Sequence, residues 1–248
     1  MTLRILLQAL LLLGLLALPA RAAEQVDVEL VLLADASGSI DDAEILFQRR
    51  GYASAITDPA VIGAITQGYA QKIAVTYVEW GEASSQEVVV PWSIIDGPDS
   101  AAAFAKRLLE TPRKAFGPNA IGNALAAGQA LIESNDIEGF RKVIDISGDS
   151  ANNWGGVPIT LARDAAVANE IVINGLAILC RNCNGRPVTY DLEAAFEELI
   201  IGGPASFVVT ADDRDSFADA VRKKLLLEIA GPSQKPDTRV ARRSGAQN

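Results

Sequence analysis

The chain alternates between short apolar runs and longer segments whose apolar positions have a helical spacing. Residues 26–34 begin with alternating apolar and polar positions and become continuously apolar, which predicts a strand buried on both faces of a parallel sheet. Further strands are predicted at residues 72–80, 86–95, 141–146, 171–179 and 206–210. Helices are predicted at residues 43–57, 60–66, 99–109, 120–134, 159–169, 192–200 and 215–229. This alternation indicates an α/β fold, with a doubly wound, mostly parallel open sheet and helices on both faces.

Local signals refine two of these elements. Asp41, followed three residues later by Glu44, is the capping-box pattern expected at the start of the first helix. The strands at 72–80 and 86–95 are joined by a short loop that suits a hairpin. Pro91 has no N–H to donate to a strand ladder, so the second of these strands is predicted to be an antiparallel edge strand.

The two ends of the chain differ from the rest. Arg4, the apolar run after it and an Ala-x-Ala sequence ending at Ala22 form the pattern of a secretory signal peptide at residues 1–22. An uncleaved anchor is the alternative, although the run is short for a membrane span. Residues 231–248 are polar and weakly patterned, which predicts a disordered tail. Residues 23–230 are therefore expected to form one periplasmic or secreted domain with no membrane span after cleavage.

The composition excludes several classes of function. Removing the predicted signal peptide removes two positive charges, which takes the formal net charge from -9 to -11. An acidic surface disfavours non-specific nucleic-acid binding and is compatible with binding of cations. The chain contains no histidine. Catalytic sites that depend on histidine and zinc sites with histidine ligands are therefore excluded.

Two cysteines, Cys180 and Cys183, are separated by two residues. In an exported protein this spacing favours a short-loop disulfide, with a redox dithiol or half of a metal site as alternatives. The turn-forming residues that follow, such as Gly185 and Pro187, favour a stapled loop over a redox motif that begins a helix.

A candidate metal-binding loop follows the first buried strand. Open α/β sheets bind ligands beyond the carboxyl ends of their strands, and residues 35–39 (DASGS) are expected there. Asp35, Ser37 and Ser39 supply oxygen ligands, which suit Mg²⁺ or, less selectively, Mn²⁺ and Ca²⁺. The alternative is that Ser39 and Asp41 only cap the next helix.

The D-x-S-x-S sequence after the first strand resembles the start of the metal-ion-dependent adhesion site (MIDAS) of von Willebrand factor type A (vWA) domains. The chain is similar in particular to an exported bacterial branch of that superfamily, a domain of unknown function. The resemblance covers residues 26 to about 229 and implies the vWA fold. In that family a threonine from a second loop and an aspartate from a third loop complete the metal shell, often partly through water.

The second and third loops depart from the family pattern. Residues 117–125 (GPNAIGNAL) are similar to G-x-T-x-x-G-x-A-L, but Asn119 replaces the threonine. Its carbonyl oxygen could still bind a metal, and the alternative is that Asn119 only caps a helix. The third loop has S-G-D where the family has T-D-G, so we assign the aspartate role to Asp149. Asp145 is the alternative ligand, and Ser147 is a weaker candidate.

The resemblance implies a protein-binding module in which the metal contacts a Glu or Asp of a protein partner. Trp154 is a candidate interface anchor, unless it folds back over its own loop. The chain is expected to be a monomer and not an enzyme. The alternatives are a Mg²⁺-dependent phosphohydrolase and a periplasmic solute-binding protein. Ser37 occupies the position where an aspartyl-phosphate enzyme needs a second acid, and one continuous sheet disfavours a two-lobed binding protein.

Overall fold

The computed structural model describes residues 23–179, 189–212 and 214–231. The predicted signal peptide, the pair Cys180 and Cys183, and all but the first residue of the predicted tail lie outside these ranges.

Within the described residues, six strands form a single sheet. They are β1 (Glu24–Asp35), β2 (Ile73–Trp80), β3 (Gln86–Ile95), β4 (Ile137–Gly148), β5 (Ile171–Ile178) and β6 (Val208–Ala211). Their order is β3-β2-β1-β4-β5-β6, and every neighbouring pair is parallel except β2 and β3. The predicted mostly parallel sheet is confirmed. The antiparallel edge strand is β3, which contains Pro91, as predicted. The presence of one sheet in the described residues argues against a two-lobed solute-binding protein.

Seven helical segments pack against the sheet in the described ranges. They are α1 (Asp42–Ile56), α2 (Pro59–Thr66), α3 (Pro98–Glu110), α4 (Ile121–Glu133), α5 (Ile159–Ala168), α6 (Leu192–Ala195, continued by a π-helical turn at Phe196–Ile200) and α7 (Arg214–Ala230). The capping box at the start of α1 is present: Glu44 N–H donates to Asp41, and Asp41 N–H donates to Glu44. None of the described helices has the length and apolar character needed to cross a bilayer.

The apolar side chains of β1 enter two core layers. Leu30 and Leu32 pack in a layer that includes Tyr52 of α1 and Phe217 of α7. Val31 and Leu33, on the other face, pack in a layer with residues of α4 and α5. Because alternate residues of a strand point to opposite faces, this double burial explains the continuous apolar run in the sequence. The core therefore holds β1 firmly and fixes the position of Asp35 at its end.

The structure extends β4 beyond its predicted bounds of 141–146. Residues 137–139 pair with the start of β1, although their side chains alternate between exposed and half-buried positions. This part of the strand lacks an apolar signature because the sheet is not fully covered there, so pairing with β1 rather than burial defines the strand.

The two ends of the described core lie at the pole opposite the carboxyl ends of the parallel strands. Residue 23 precedes β1 directly, and α7 ends beside the beginning of β4, where Arg141 donates hydrogen bonds to the carbonyl oxygens of Glu228 and Ile229 (both 2.6 Å). The loops after β1 and β4 therefore face away from both ends.

Candidate metal centre

The loop after β1 has a well-defined backbone. Ala36 N–H donates to the carbonyl of Trp80 (2.8 Å), and Gly38 N–H donates to the carbonyl of Gly117 in the second loop (2.9 Å). The backbone N–H of Ser37 donates to Asp35 Oδ1 (2.8 Å). These bonds hold the first loop beside the second loop.

Oxygen atoms from the first and third loops converge. Ser37 Oγ lies 3.3 Å from Ser39 Oγ, and the Ser39 hydroxyl donates to Asp149 Oδ1 at 3.4 Å. Asp35 is fully buried, and its Oδ2 atom has no hydrogen-bond partner in the described structure. A Cβ atom at position 148 would lie 3.4 Å from Asp35 Oδ2, so the glycine there leaves space beside this oxygen. The predicted Asp35, Ser37, Ser39 and Asp149 are thus brought together.

The surroundings of Asp35 and Asp149 disfavour the charged forms of their carboxyl groups. Burial raises the pKa of Asp35 from its usual 3.8 to about 7, and the nearby charge of Asp149 adds to the effect. Burial is also the main cause of a raised pKa for Asp149, which the Ser39 hydroxyl opposes. A buried carboxylate with an unpartnered oxygen is costly unless a cation compensates it. These donors therefore fit a hard divalent cation, which takes carboxylate and neutral oxygen ligands.

The centre contains only two acidic residues. No group of three or more His, Cys, Asp and Glu side chains suited to a metal occurs within the described ranges. Its other oxygens are neutral, which is the donor set expected for Mg²⁺ rather than for metals that prefer nitrogen or sulfur.

Asn119 is tied to the third loop by its amide group. Its Nδ2 donates to Ser150 Oγ (3.1 Å), so Oδ1 is the amide atom that would serve as a metal ligand. The helix α4 has Ala120 at its N-cap and no side-chain cap, so the structure does not support Asn119 as a helix cap. The second and third loops are therefore in contact through Asn119 and Ser150.

Ser150 is a positioning residue that the sequence analysis did not identify. Replacing it with alanine removes the acceptor that orients the Asn119 amide. Because such outer partners contribute about 10- to 100-fold to metal affinity, we expect Ser150→Ala to weaken Mg²⁺ binding by about tenfold with little change in fold. Calorimetric titration checks this, with Asn152→Ala as a control from an exposed position in the same loop. Equal losses in the two variants would contradict the assignment.

Two further side chains that the sequence analysis missed support the first loop. Gln48 Nε2 donates to the carbonyl of Asp35 (3.0 Å) from α1. Arg113 donates to the carbonyl of Ala36 (2.7 Å) and forms an ion pair with Asp42 (3.0 Å). Both contacts join segments that are distant in sequence, and neither residue lies in a motif.

Asp145 points into a different, buried cluster. Its carboxylate lies 2.7 Å from Lys224 Nζ, which also lies 2.6 Å from Glu228 Oε1, and all three side chains are almost completely inaccessible. Asn174 Nδ2 donates to Glu228 Oε1 (3.0 Å). Ser147 donates to the carbonyl of Leu33 (3.4 Å). Asp145 is therefore part of a buried ion-pair cluster, and Asp149 is the acid of the third loop that reaches the first.

The Glu228 carboxyl makes the stability of the protein depend on pH. Burial, with the charge of Asp145, raises its pKa from the usual 4.5 to about 7. Between about pH 4.5 and pH 7 the folded chain therefore keeps a proton on Glu228 that the unfolded chain has released. The free energy of unfolding consequently falls as the pH rises through this range. The raised pKa values of Asp35, Asp145 and Asp149 act in the same direction.

We expect the urea midpoint, measured in chelator, to be lower at about pH 8 than at about pH 5. Glu228→Gln should make this dependence shallower. A midpoint that rises with pH would contradict the argument.

Trp154 is exposed over 70% of its surface. It does not fold back over its loop, although its backbone N–H donates to the carbonyl of Asn119 (2.7 Å). The backbone of Trp154 thus lies beside Asn119, and its indole is accessible to solvent.

Comparisons with known proteins concern the whole domain. A family model described as "Protein of unknown function (DUF1194)" matches residues 25–233. No curated protein matches the sequence.

Several solved structures are similar. The pilus adhesin SpaC from Lactobacillus rhamnosus GG has a TM-score of 0.59 and 14% identity, over 84% of this chain and 31% of SpaC. Proximal thread matrix protein 1 from the mussel byssus, with a zinc-occupied MIDAS motif, has a TM-score of 0.59 and 14% identity, over 84% of this chain and 49% of that one. The vWF domain of the type V pili tip protein Mfa5 from Porphyromonas gingivalis has a TM-score of 0.51 and 8% identity, over 83% of this chain and 95% of that one.

The chain spans about a third of SpaC and about half of the mussel protein. At these identities the similarity concerns the fold, which is that of vWA domains.

Proposed function

The chain belongs to the family described as "Protein of unknown function (DUF1194)" and has a vWA fold; from this premise we propose that it is an exported, non-catalytic module that binds a protein partner through a divalent cation. The observation that carries the proposal is the buried, unpartnered Oδ2 of Asp35 beside a second carboxylate and two hydroxyl groups. Such an arrangement is costly without a cation and favourable with one.

Five residues would hold the ion. Asp35 and Asp149 supply the charge, Ser37 and Ser39 supply hydroxyl oxygens, and Asn119 supplies a carbonyl oxygen. This all-oxygen set favours Mg²⁺, with Mn²⁺ or Ca²⁺ as substitutes. When bound, the cation offers a positive centre to a carboxylate of the partner. The two protein carboxylates would balance the charge of a divalent ion, which keeps the partner contact reversible.

Export and adhesion fit the rest of the chain. The first 22 residues have the pattern of a signal peptide. The similar structures are named as an adhesin, a matrix protein and a pilus tip protein, and a contact role for this chain is consistent with theirs. Trp154 is 70% exposed and its N–H donates to the carbonyl of Asn119, so it is our candidate for a partner contact.

Calorimetric titration of residues 23–248 with Mg²⁺, Mn²⁺ and Ca²⁺ tests the metal claim. We expect one ion to bind to each chain, and Asp35→Ala to remove this binding. If none of the three ions binds the intact chain, the proposal fails. A captured partner should also be released by chelator, and capture that persists in chelator would reject the metal-bridged contact.

A further inference from the structure

Two large aromatic side chains at the candidate metal centre are exposed to solvent. Trp154 is 70% exposed and Phe116 is 55% exposed. Single exposed apolar residues are common on protein surfaces. These two belong to loops of the same candidate centre: Trp154 N–H donates to the carbonyl of Asn119, and Phe116 precedes Gly117, whose carbonyl accepts from Gly38 N–H of the first loop. Trp and Phe are also among the residue types enriched where proteins bind each other.

The backbone around Trp154 is held by several hydrogen bonds. Its own N–H donates to the carbonyl of Asn119 (2.7 Å). The side chain of the preceding Asn153 accepts from Gly122 N–H (3.2 Å) and donates to the carbonyl of Val157 (3.0 Å). These bonds fix the backbone that carries the indole beside Asn119, a candidate metal ligand. Less conformational entropy is therefore lost when a partner binds there.

Phe116 is held in a comparable way. Its N–H donates to Ser85 Oγ (3.1 Å), and its carbonyl accepts from Glu82 N–H (2.9 Å). The guanidinium of Arg113 lies 4.6 Å from the ring centroid. The same guanidinium is anchored on the carbonyl of Ala36 in the first loop (2.7 Å). The ring is therefore ordered by cation–π contact while more than half of its residue surface stays accessible.

The charge of the whole chain limits the kind of acidic partner that can bind. Without its first 22 residues the chain has a formal net charge of -11, since these hold two of its positive charges and no acid. Such a chain repels a segment rich in acidic residues at long range. A single carboxylate can bind the cation at a smaller electrostatic cost, and apolar contacts must then supply the remaining affinity.

We propose that Phe116 and Trp154 form an apolar rim that selects protein segments in which one acidic residue is flanked by large apolar side chains. The inference rests on the proposed function, because the acidic residue binds the cation. The aromatic rim, rather than further charged groups, then determines which acidic segments the centre binds.

Selection from a displayed library of random peptides tests the rim. Binding is carried out in Mg²⁺ and elution in chelator, and one enriched peptide is synthesised for titration. We expect enriched peptides to contain a single Asp or Glu with aromatic or large aliphatic residues beside it. Enrichment of peptides with several acids and no apolar neighbours would overturn the proposal.

The rim is then removed by substitution. Phe116→Ala and Trp154→Ala should each weaken peptide binding by at least about tenfold, as expected for interface anchors, while Mg²⁺ affinity stays unchanged. Tyr69→Ala is the matched control, because Tyr69 is an 88% exposed aromatic residue in the loop before β2. If both rim variants bind the peptide as tightly as the original chain does, the aromatic rim is rejected and the proposed metal-dependent function is not. Absence of Mg²⁺ binding in the intact chain rejects the proposed function itself.

Discussion

Asp35→Asn will remove Mg²⁺ binding and leave the metal-free fold at least as stable as the original. The asparagine keeps an oxygen for the N–H of Ser37, so the loop retains its local hydrogen bond. It removes a buried carboxyl whose pKa is raised to about 7, and with it the cost of burying that charge at neutral pH. Because outer partners alone contribute about 10- to 100-fold to metal affinity, we expect the loss of Asp35, which we propose as a direct ligand, to weaken binding by more than about 100-fold.

Thermal unfolding with and without Mg²⁺ measures both effects at once. A ligand that binds only the folded state raises the midpoint in proportion to the logarithm of its concentration over Kd. The original chain should show this rise and Asp35→Asn should not. Asp99→Asn is the control, because Asp99 is an exposed aspartate in the first turn of α3, outside the candidate centre. A rise that persists in Asp35→Asn would exclude Asp35 as a ligand.

Lys224→Met should destabilise the fold by about 3–5 kcal/mol, because it leaves Asp145 and Glu228 buried without their shared counter-charge. For a domain of this size, each kcal/mol corresponds to a shift of about 2–4 °C in Tm, so the decrease should be easily measured. Protonation of the carboxyls relieves part of the cost, and the loss should therefore be smaller at about pH 5 than at about pH 8.

Two further variants separate charge from packing. Lys223→Met, at the exposed neighbouring position of α7, should change Tm little. Adding Asp145→Asn and Glu228→Gln to Lys224→Met should recover much of the lost stability, since an uncharged cluster no longer needs a counter-ion. If the triple variant is as unstable as Lys224→Met, packing of the lysine stem rather than charge explains the loss.

The features predicted from sequence are those that depend on neighbouring residues. The buried strand, the D-x-S-x-S loop and the Asp41 capping box all lie between residues 26 and 44. Each is encoded by spacing along the chain, so the candidate metal loop and the order of strands and helices could be predicted without coordinates.

The features that were missed depend on contacts between distant segments. Asn119 and Ser150 meet only because α4 and β4 are neighbours in the fold, and Ser150 has no motif of its own. Lys223 and Lys224 are identical residues in one helix, yet one is exposed and the other is buried beside Asp145. Their difference is decided by how α7 packs on the sheet, which local spacing does not specify.

The central position of β1 also has a mechanical consequence. The strand joins residue 23 at one pole to Asp35 at the other, and it is flanked by parallel partners on both sides. A pull applied between these poles acts along the strand axis, so the ladders to β2 and β4 are loaded in shear and share the force. Tension applied between residue 23 and the loop after β1 is thus carried by a strand with parallel partners on both sides.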